Sequence, residues 1–292
     1  MKSGSDIRAD FLQRKKSDTP LLCDGAMGTY LIQLGVPQQE HIWLTAALYT
    51  HYEAILQVHR EYIEAGADCI TTNTFRTNPI ALEKVAADRY KNPVELAVKC
   101  AQDAAAGTSV LIAGSNPPAE DSYQIERTLS RQKLAYNHRK HIDQLMTAGV
   151  DFILLETFGH WDEADIASEW CEQGSIPYAI SFYCTPDMRL LSGENLEWVF
   201  NQYKSSNALS AGVNCVPPSL VRKLAAGTEL PERFGCSCNC GVTSPDSGII
   251  EASIPPAEFS EFMQSIDVHY TLLGACCGST PNHISSLRKV FP

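Results

Sequence analysis

Short apolar, β-branched runs bounded by turn residues recur along the chain at regular intervals and predict eight strands. They are LLCDG at 21–25, DCITTNTF at 68–75, SVLIAGS at 109–115, DFILLETF at 151–158, YAISFYC at 178–184, LSAGVNC at 209–215, RFGCSCNC at 233–240 and YTLLGACC at 270–277. Most are continuously apolar rather than alternating, which is the pattern of parallel strands covered on both faces. Between them the period changes to that of helices. Residues 46–65 place Leu48, Tyr52, Ile55, Leu56, His59, Tyr62 and Ile63 on one face and stop at Gly66. Residues 93–106 and 130–148 read the same way, the second ending at Gly149. Eight β–α units in about 250 residues match a (β/α)8 TIM barrel in a single domain. A doubly wound open sheet is the rival; against it, no GxGxxG follows the first strand and no GxxxxGK[ST] occurs. No linker-like stretch divides the chain, so residues 1–19 read as a polar N-terminal segment and 20–292 as the barrel.

In such barrels the chemistry sits at the C-terminal strand ends. Those ends read Asp24-Gly25, Thr72-Asn73-Thr74, Gly114-Ser115, Glu156-Thr157, Phe182-Tyr183, Asn214-Cys215 and Cys276-Cys277. Cys215, Cys276 and Cys277 each close an apolar run. Three thiolates brought together from two strand ends make a tetrahedral site with one position open, and zinc suits such a sulfur-rich set. Neighbouring residues of a straight strand point to opposite faces, so Cys276 and Cys277 share a metal only if the backbone bends; Gly274 and Gly278 flank them. Thr280 and Pro281 then read as the N-cap and first residue of the last helix. The alternative is that all three are small buried residues. Cys236, Cys238 and Cys240, at period-2 spacing, read as residues of one strand face packed in a barrel layer or against a helix.

Bulk properties narrow the class. The 292 residues are 44% hydrophobic and 20% charged, ordinary for a globular enzyme, and the formal net charge of −11 argues against a nucleic-acid or anionic-membrane partner. The N-terminus has no apolar stretch of signal-peptide length and no later run approaches a membrane span, so the expectation is a cytoplasmic protein whose eleven cysteines are reduced thiols, a subset of them metal ligands.

The combination DGAMGT (24–29), AGADCITTNTF (65–75), GVDFILLETF (149–158), GVNC (212–215) and GACCG (274–278) resembles the homocysteine S-methyltransferase family from about residue 20 onwards. The resemblance implies a zinc-dependent enzyme that methylates homocysteine to methionine. It implies Cys215, Cys276 and Cys277 as the metal ligands and Asp24 and Glu156 as the acids that hold the homocysteine ammonium. It also implies Gly25, Ala26 and Met27 as the loop whose amides receive its carboxylate. Asn73 and Trp43 are further substrate-side candidates. Trp43, Phe75 and Phe158 could hold the cationic methyl donor by cation–π contact, whereas His59, on an apolar helix face, reads as core. The compact chain looks most like the members that use S-methylmethionine or S-adenosylmethionine. Betaine or another onium donor, another small thiol acceptor, and a non-catalytic zinc- or redox-sensing protein are the alternatives. Two segments depart from the family pattern, AGSNPPAEDSY (113–123) and FGCSCNCG (234–241).

Overall fold

The computed structural model describes residues 11, 19–85, 89–243 and 250–292. Eight parallel strands form one sheet: β1 (Leu21–Leu22), β2 (Cys69–Thr71), β3 (Leu111–Asn116), β4 (Phe152–Phe158), β5 (Tyr178–Phe182), β6 (Ala211–Val216), β7 (Phe234–Cys238) and, after a small antiparallel pair β8 (Gly241–Thr243) and β9 (Ile250–Ala252), β10 (Tyr270–Ala275). Consecutive barrel strands are neighbours, β10 returns to pair with β1, and the ring closes at a parallel bridge between Cys23 and Cys69. At that seam the Asp24 N–H donates to the Cys69 carbonyl at 3.0 Å and the Asp68 N–H to the Leu22 carbonyl at 2.7 Å. Closure rules out the open doubly wound sheet; the fold is a (β/α)8 barrel.

Strand alternation sorts the core into two layers. Leu21, Cys23, Cys69, Leu111, Phe152, Ala179, Leu209 and Leu272 fill the interior, and Phe11 packs among them with its ring 5.5 Å from that of Phe152. The intervening residues, such as Ile70, Ile153, Ile180, Val213 and Leu273, face the helices. β3, β6 and β10 are buried at every position, as continuous apolar runs require.

The helices are α1 (Met27–Gln33), α2 (Ala47–Thr50), α3 (Tyr52–Glu64), α4 (Pro79–Glu83), α5 (Pro93–Ala105), α6 (Arg131–Ala148), α7 (Trp161–Gln173), α8 (Leu196–Gln202), α9 (Pro218–Gly227), α10 (Pro256–Gln264) and α11 (Pro281–Val290). The helix expected over 46–65 is two. The Thr50 hydroxyl donates back to the Ala46 carbonyl, His51 leaves helical geometry at φ −140° and ψ 39°, and α3 starts afresh. β1, β2, β5, β7 and β10 stop before the last residues of their apolar runs, whereas β3, β4 and β6 continue to or past the run's end. Among the described residues no helix is long and apolar enough to cross a membrane.

Candidate active site

The C-terminal mouth of the barrel holds a cavity of about 580 Å³ whose walls come from the strand ends. One wall is sulfur. β6 delivers Cys215 in a left-handed conformation (φ 55°), unusual for a side chain with a Cβ. β10 ends at Ala275; the Cys276 N–H donates to the Cys238 carbonyl at 2.6 Å, and the Ser279 N–H closes a turn on the Cys276 carbonyl at 3.0 Å. This turn is the bend that the adjacent cysteines need. The Cys215, Cys276 and Cys277 sulfurs lie within 4.8 Å of one another, a set that could hold a metal ion. Cys215 and Cys276 are joined sulfur to sulfur, and the Cys277 sulfur is 3.9 Å from that of Cys276.

The two flanking glycines have different jobs. Gly278 has φ +82°, a conformation L side chains rarely adopt, so it carries the turn. Gly274 instead permits close approach: a Cβ there would stand 2.9 Å from the Cys23 Cβ and the Ser237 Oγ. After the turn, Pro281 opens α11 and the Thr280 N–H donates to His283 Nδ1 at 3.1 Å.

Two acids share the cavity with the sulfurs. Asp24 is buried; its carboxylate accepts from the Thr71 N–H at 2.7 Å and the Thr71 hydroxyl at 2.9 Å. Burial nevertheless pushes its pKa up to about 7, with the neighbouring Glu156 charge adding to the rise. Glu156 accepts from the Ser115 hydroxyl and, at 3.5 Å, from Asn214 Nδ2. Burial pushes it up to about 7 as well. Two carboxylates raised together in one cavity are a site that a bound cation would relax into the charged form.

Asn214 connects the walls. Its Oδ1 accepts from the Thr157 N–H at 2.8 Å, and its Nδ2 donates to the Thr157 hydroxyl at 2.8 Å and lies 3.7 Å from the Cys215 sulfur. Thr157 also has a positive φ, 63°. One amide side chain thus holds two strained strand ends, one bearing Glu156 and the other Cys215. The sequence assigns Thr71, Ser115 and Asn214 no role; their only signal there is that each is a polar residue at or near the C-terminal end of an apolar run.

Gly25, Ala26 and Met27 line the cavity beside Asp24. The Ala26 N–H donates to the Ser279 hydroxyl at 2.8 Å and its carbonyl accepts from the Tyr62 hydroxyl at 3.2 Å, so Ser279 already engages one amide of the expected carboxylate loop. α1 begins at Met27 with no side-chain cap. Asn73 lines the cavity but is buried, its Nδ2 donating to the Leu44 carbonyl at 3.2 Å. Trp43 lies half-buried against the Phe75 ring, centroids 5.7 Å apart, and both line the cavity. Phe158 does not: it is fully buried in the helix-facing layer, 5.6 Å from the His138 ring, because β4 is irregular between Leu155 and Phe158, with Thr157 at positive φ, and the alternation that turns Phe152 and Glu156 inward is reversed there. His59 is core, fully buried, with neither ring nitrogen bonded among the described residues.

Cys236 and Cys238 share one strand face, their sulfurs 3.4 Å apart, and belong to the helix-facing layer. Cys240 lies beyond the strand, where its N–H donates to the Cys277 carbonyl at 2.9 Å.

The sequence pattern of the homocysteine S-methyltransferase family matches residues 21–291. Homocysteine S-methyltransferase 1 of Arabidopsis thaliana is 27% identical, with 94% of each chain covered. Selenocysteine Se-methyltransferase of Brassica oleracea var. italica is 25% identical over 92% of this chain and 88% of that one. The metallated form of the homocysteine methyltransferase MmuM from Escherichia coli shares the fold, with a TM-score of 0.75, 24% identity and coverage of 93% and 96%.

Proposed function

The chain belongs to the homocysteine S-methyltransferase family, and from that premise we propose that it transfers a methyl group from an onium donor to the thiol of homocysteine, giving methionine. The observation that carries this reading is the shared cavity, lined by three convergent sulfurs and by two carboxylates of raised pKa. A zwitterionic amino acid with a terminal thiol has a group for each.

Cys215, Cys276 and Cys277 fit a zinc ion once Cys215 and Cys276 are reduced, because the three soft donors already converge on a cavity that supplies the fourth side. Zinc bound there would supply a Lewis acid that holds the acceptor thiol deprotonated at neutral pH. Asp24 and Glu156 bind the acceptor ammonium, and its charge returns both carboxyls to their ionised forms. The α1 N-terminus at Met27, with Gly25, faces the acceptor carboxylate, while Ala26 and Ser279 hold that loop in shape. Asn73 fixes the wall behind it, and Trp43 with Phe75 offers aromatic faces to the donor cation. The acceptor sulfur attacks the methyl carbon in line. The donor bond breaks with its electron pair remaining on the leaving atom, which departs neutral, and the thiol proton has already gone to solvent. No separate general base is required.

S-Methylmethionine and S-adenosylmethionine are the favoured donors and betaine the alternative. A second acceptor, selenocysteine, is worth testing because one relative carries that name. Nine cysteines without a disulfide partner support a reducing, cytoplasmic setting. The decisive experiment is methionine formation by reduced, zinc-loaded protein with homocysteine and each donor in turn. Turnover with one donor establishes the reaction; no turnover with any, despite stoichiometric zinc, refutes it.

A further inference from the structure

The cavity contains a basic group that the acceptor chemistry leaves unused. Arg76 follows Phe75 directly after β2 and lines the same cavity as Trp43. It is half-buried, its guanidinium lies 5.4 Å from the centroid of the Phe75 ring, and its Nη1 donates to the Glu120 carbonyl at 2.7 Å. That is its one hydrogen bond among the described residues, so most of its five N–H donors are unspent. The backbone that carries it is held on both sides. Phe75 packs on Trp43, and the Thr77 hydroxyl bonds the Thr74 carbonyl at 3.1 Å and His141 Nε2 at 2.9 Å. His141 is fixed in turn by Asn116 at 2.9 Å. Lys84, the cavity's other long basic side chain, is exposed at the end of α4 and has no such anchoring.

A half-buried, stacked and pre-positioned guanidinium with spare donors is built to receive a planar anion. Burial holds Arg76 below its ordinary pKa, the direction expected where a counter-charge is still to come. Among the described residues the acids whose charge acts on it are exposed Asp121 and Glu163, the latter buried on His138. Within the proposed methyl transfer, the acceptor carboxylate has its own place at the α1 N-terminus beside Asp24. Arg76 stands instead beside the aromatic pair that would face the donor cation, on the side of the cavity bounded by the 117–130 segment. We propose that Arg76 receives the carboxylate of the methyl donor and thereby selects onium compounds that carry an acid group over those that lack one.

This assignment rests on the methyl-transfer reading, and two measurements separate their fates. Reduced, zinc-loaded full-length protein, Arg76→Met and Arg76→Lys are assayed with homocysteine and either S-methylmethionine or its carboxamide, which keeps the sulfonium and removes the negative charge. The wild type should prefer the acid by roughly 10- to 100-fold in kcat/KM, the range for a hydrogen bond to a charged group. Arg76→Met should abolish that preference by slowing the acid alone, Arg76→Lys should restore part of it, and the homocysteine KM should stay unchanged in both. A variant that slows acid and amide alike, or that raises the homocysteine KM, overturns the assignment. Calorimetric binding of the same two sulfonium compounds needs no turnover. An Arg76-dependent preference for the acid in an inactive protein would sink methyl transfer and keep the anion site. Equal binding of both compounds would overturn the site even in an active enzyme.

Discussion

Two groups of three cysteines lie side by side at the barrel mouth, and only one of them converges. Cys236 and Cys238 sit on β7; Cys215 and the Cys276–Cys277 pair come from β6 and β10, the two strands that flank it. β7 stays straight through Cys238, so its thiols follow the period-2 rule and point together toward the helices. The flanking strands break the rule at their ends, through the positive φ at Cys215 and the turn at Gly278, and their sulfurs come within 4.8 Å of one another. The middle strand lines the cavity there with Gly235, Cys236 and Ser237. Its end also joins the other two: Asn239 donates to the Val216 carbonyl of β6 at 2.9 Å through its backbone and to the Cys215 carbonyl at 3.1 Å through its side chain, and the Cys238 carbonyl accepts from the Cys276 N–H just beyond β10 at 2.6 Å. Sequence spacing, therefore, says less about ligation than the backbone conformation at the strand end does.

The largest contrast should come from deleting one thiol of each group. Cys215→Ala, Cys276→Ala and Cys277→Ala are each expected to abolish methionine formation and most zinc retention, whereas Cys238→Ala keeps both. Metal content per chain by mass spectrometry, read beside turnover, decides this. Zinc lost from Cys238→Ala and retained in Cys276→Ala would reverse the two groups' roles.

Next in size is the acidic wall. Glu156→Gln should raise the homocysteine KM roughly 10- to 100-fold while leaving zinc content intact, since it removes a charged partner of the ammonium but no sulfur. The raised carboxyls also set a pH dependence. Asp24 and Glu156, at about 7 in the folded protein, are protonated below that value and bind an ammonium poorly. Homocysteine affinity should therefore rise with pH through about 7, with proton release detectable by calorimetry in buffers of different ionisation enthalpy. Stability of the ligand-free protein should run the other way. Both folded pKa values exceed those of the unfolded chain, so the folded state binds more protons between about 4 and about 7, and stability falls as pH rises across that window. A flat stability profile there would show that the two carboxyls are not raised.

Asn214→Ala tests the link between the walls. Removing it leaves the buried Thr157 N–H without its acceptor, a cost of about 1–3 kcal/mol, and frees both strained strand ends. Stability, zinc affinity and homocysteine KM should all worsen together; a change confined to stability would make Asn214 a structural residue only. The smallest effect belongs to the other cysteine group: Cys236→Ala should cost about 1 kcal/mol in chemical denaturation through lost packing, with kcat unchanged.

The apolar runs and their helical intervals were enough to read the barrel, because the period of burial is a local property that each strand repeats. The strand-end positions of Cys215, Cys276, Cys277, Asp24 and Glu156 were equally legible, since a barrel puts those ends at one mouth. Local pattern misplaced Phe158, which the irregularity of β4 at Thr157 turns outward, and joined α2 to α3 across His51, where a side-chain hydrogen bond competes with the helix. It also had no means of finding Thr71, Ser115, Asn214 or Arg76, whose partners lie 47, 41, 57 and 44 residues away in the chain. Which residue types could do the chemistry was written in the chain. Which of them meet, which way their side chains turn, and how far burial shifts their charge were decided only when the ring closed, because contact and desolvation are properties of the packed whole.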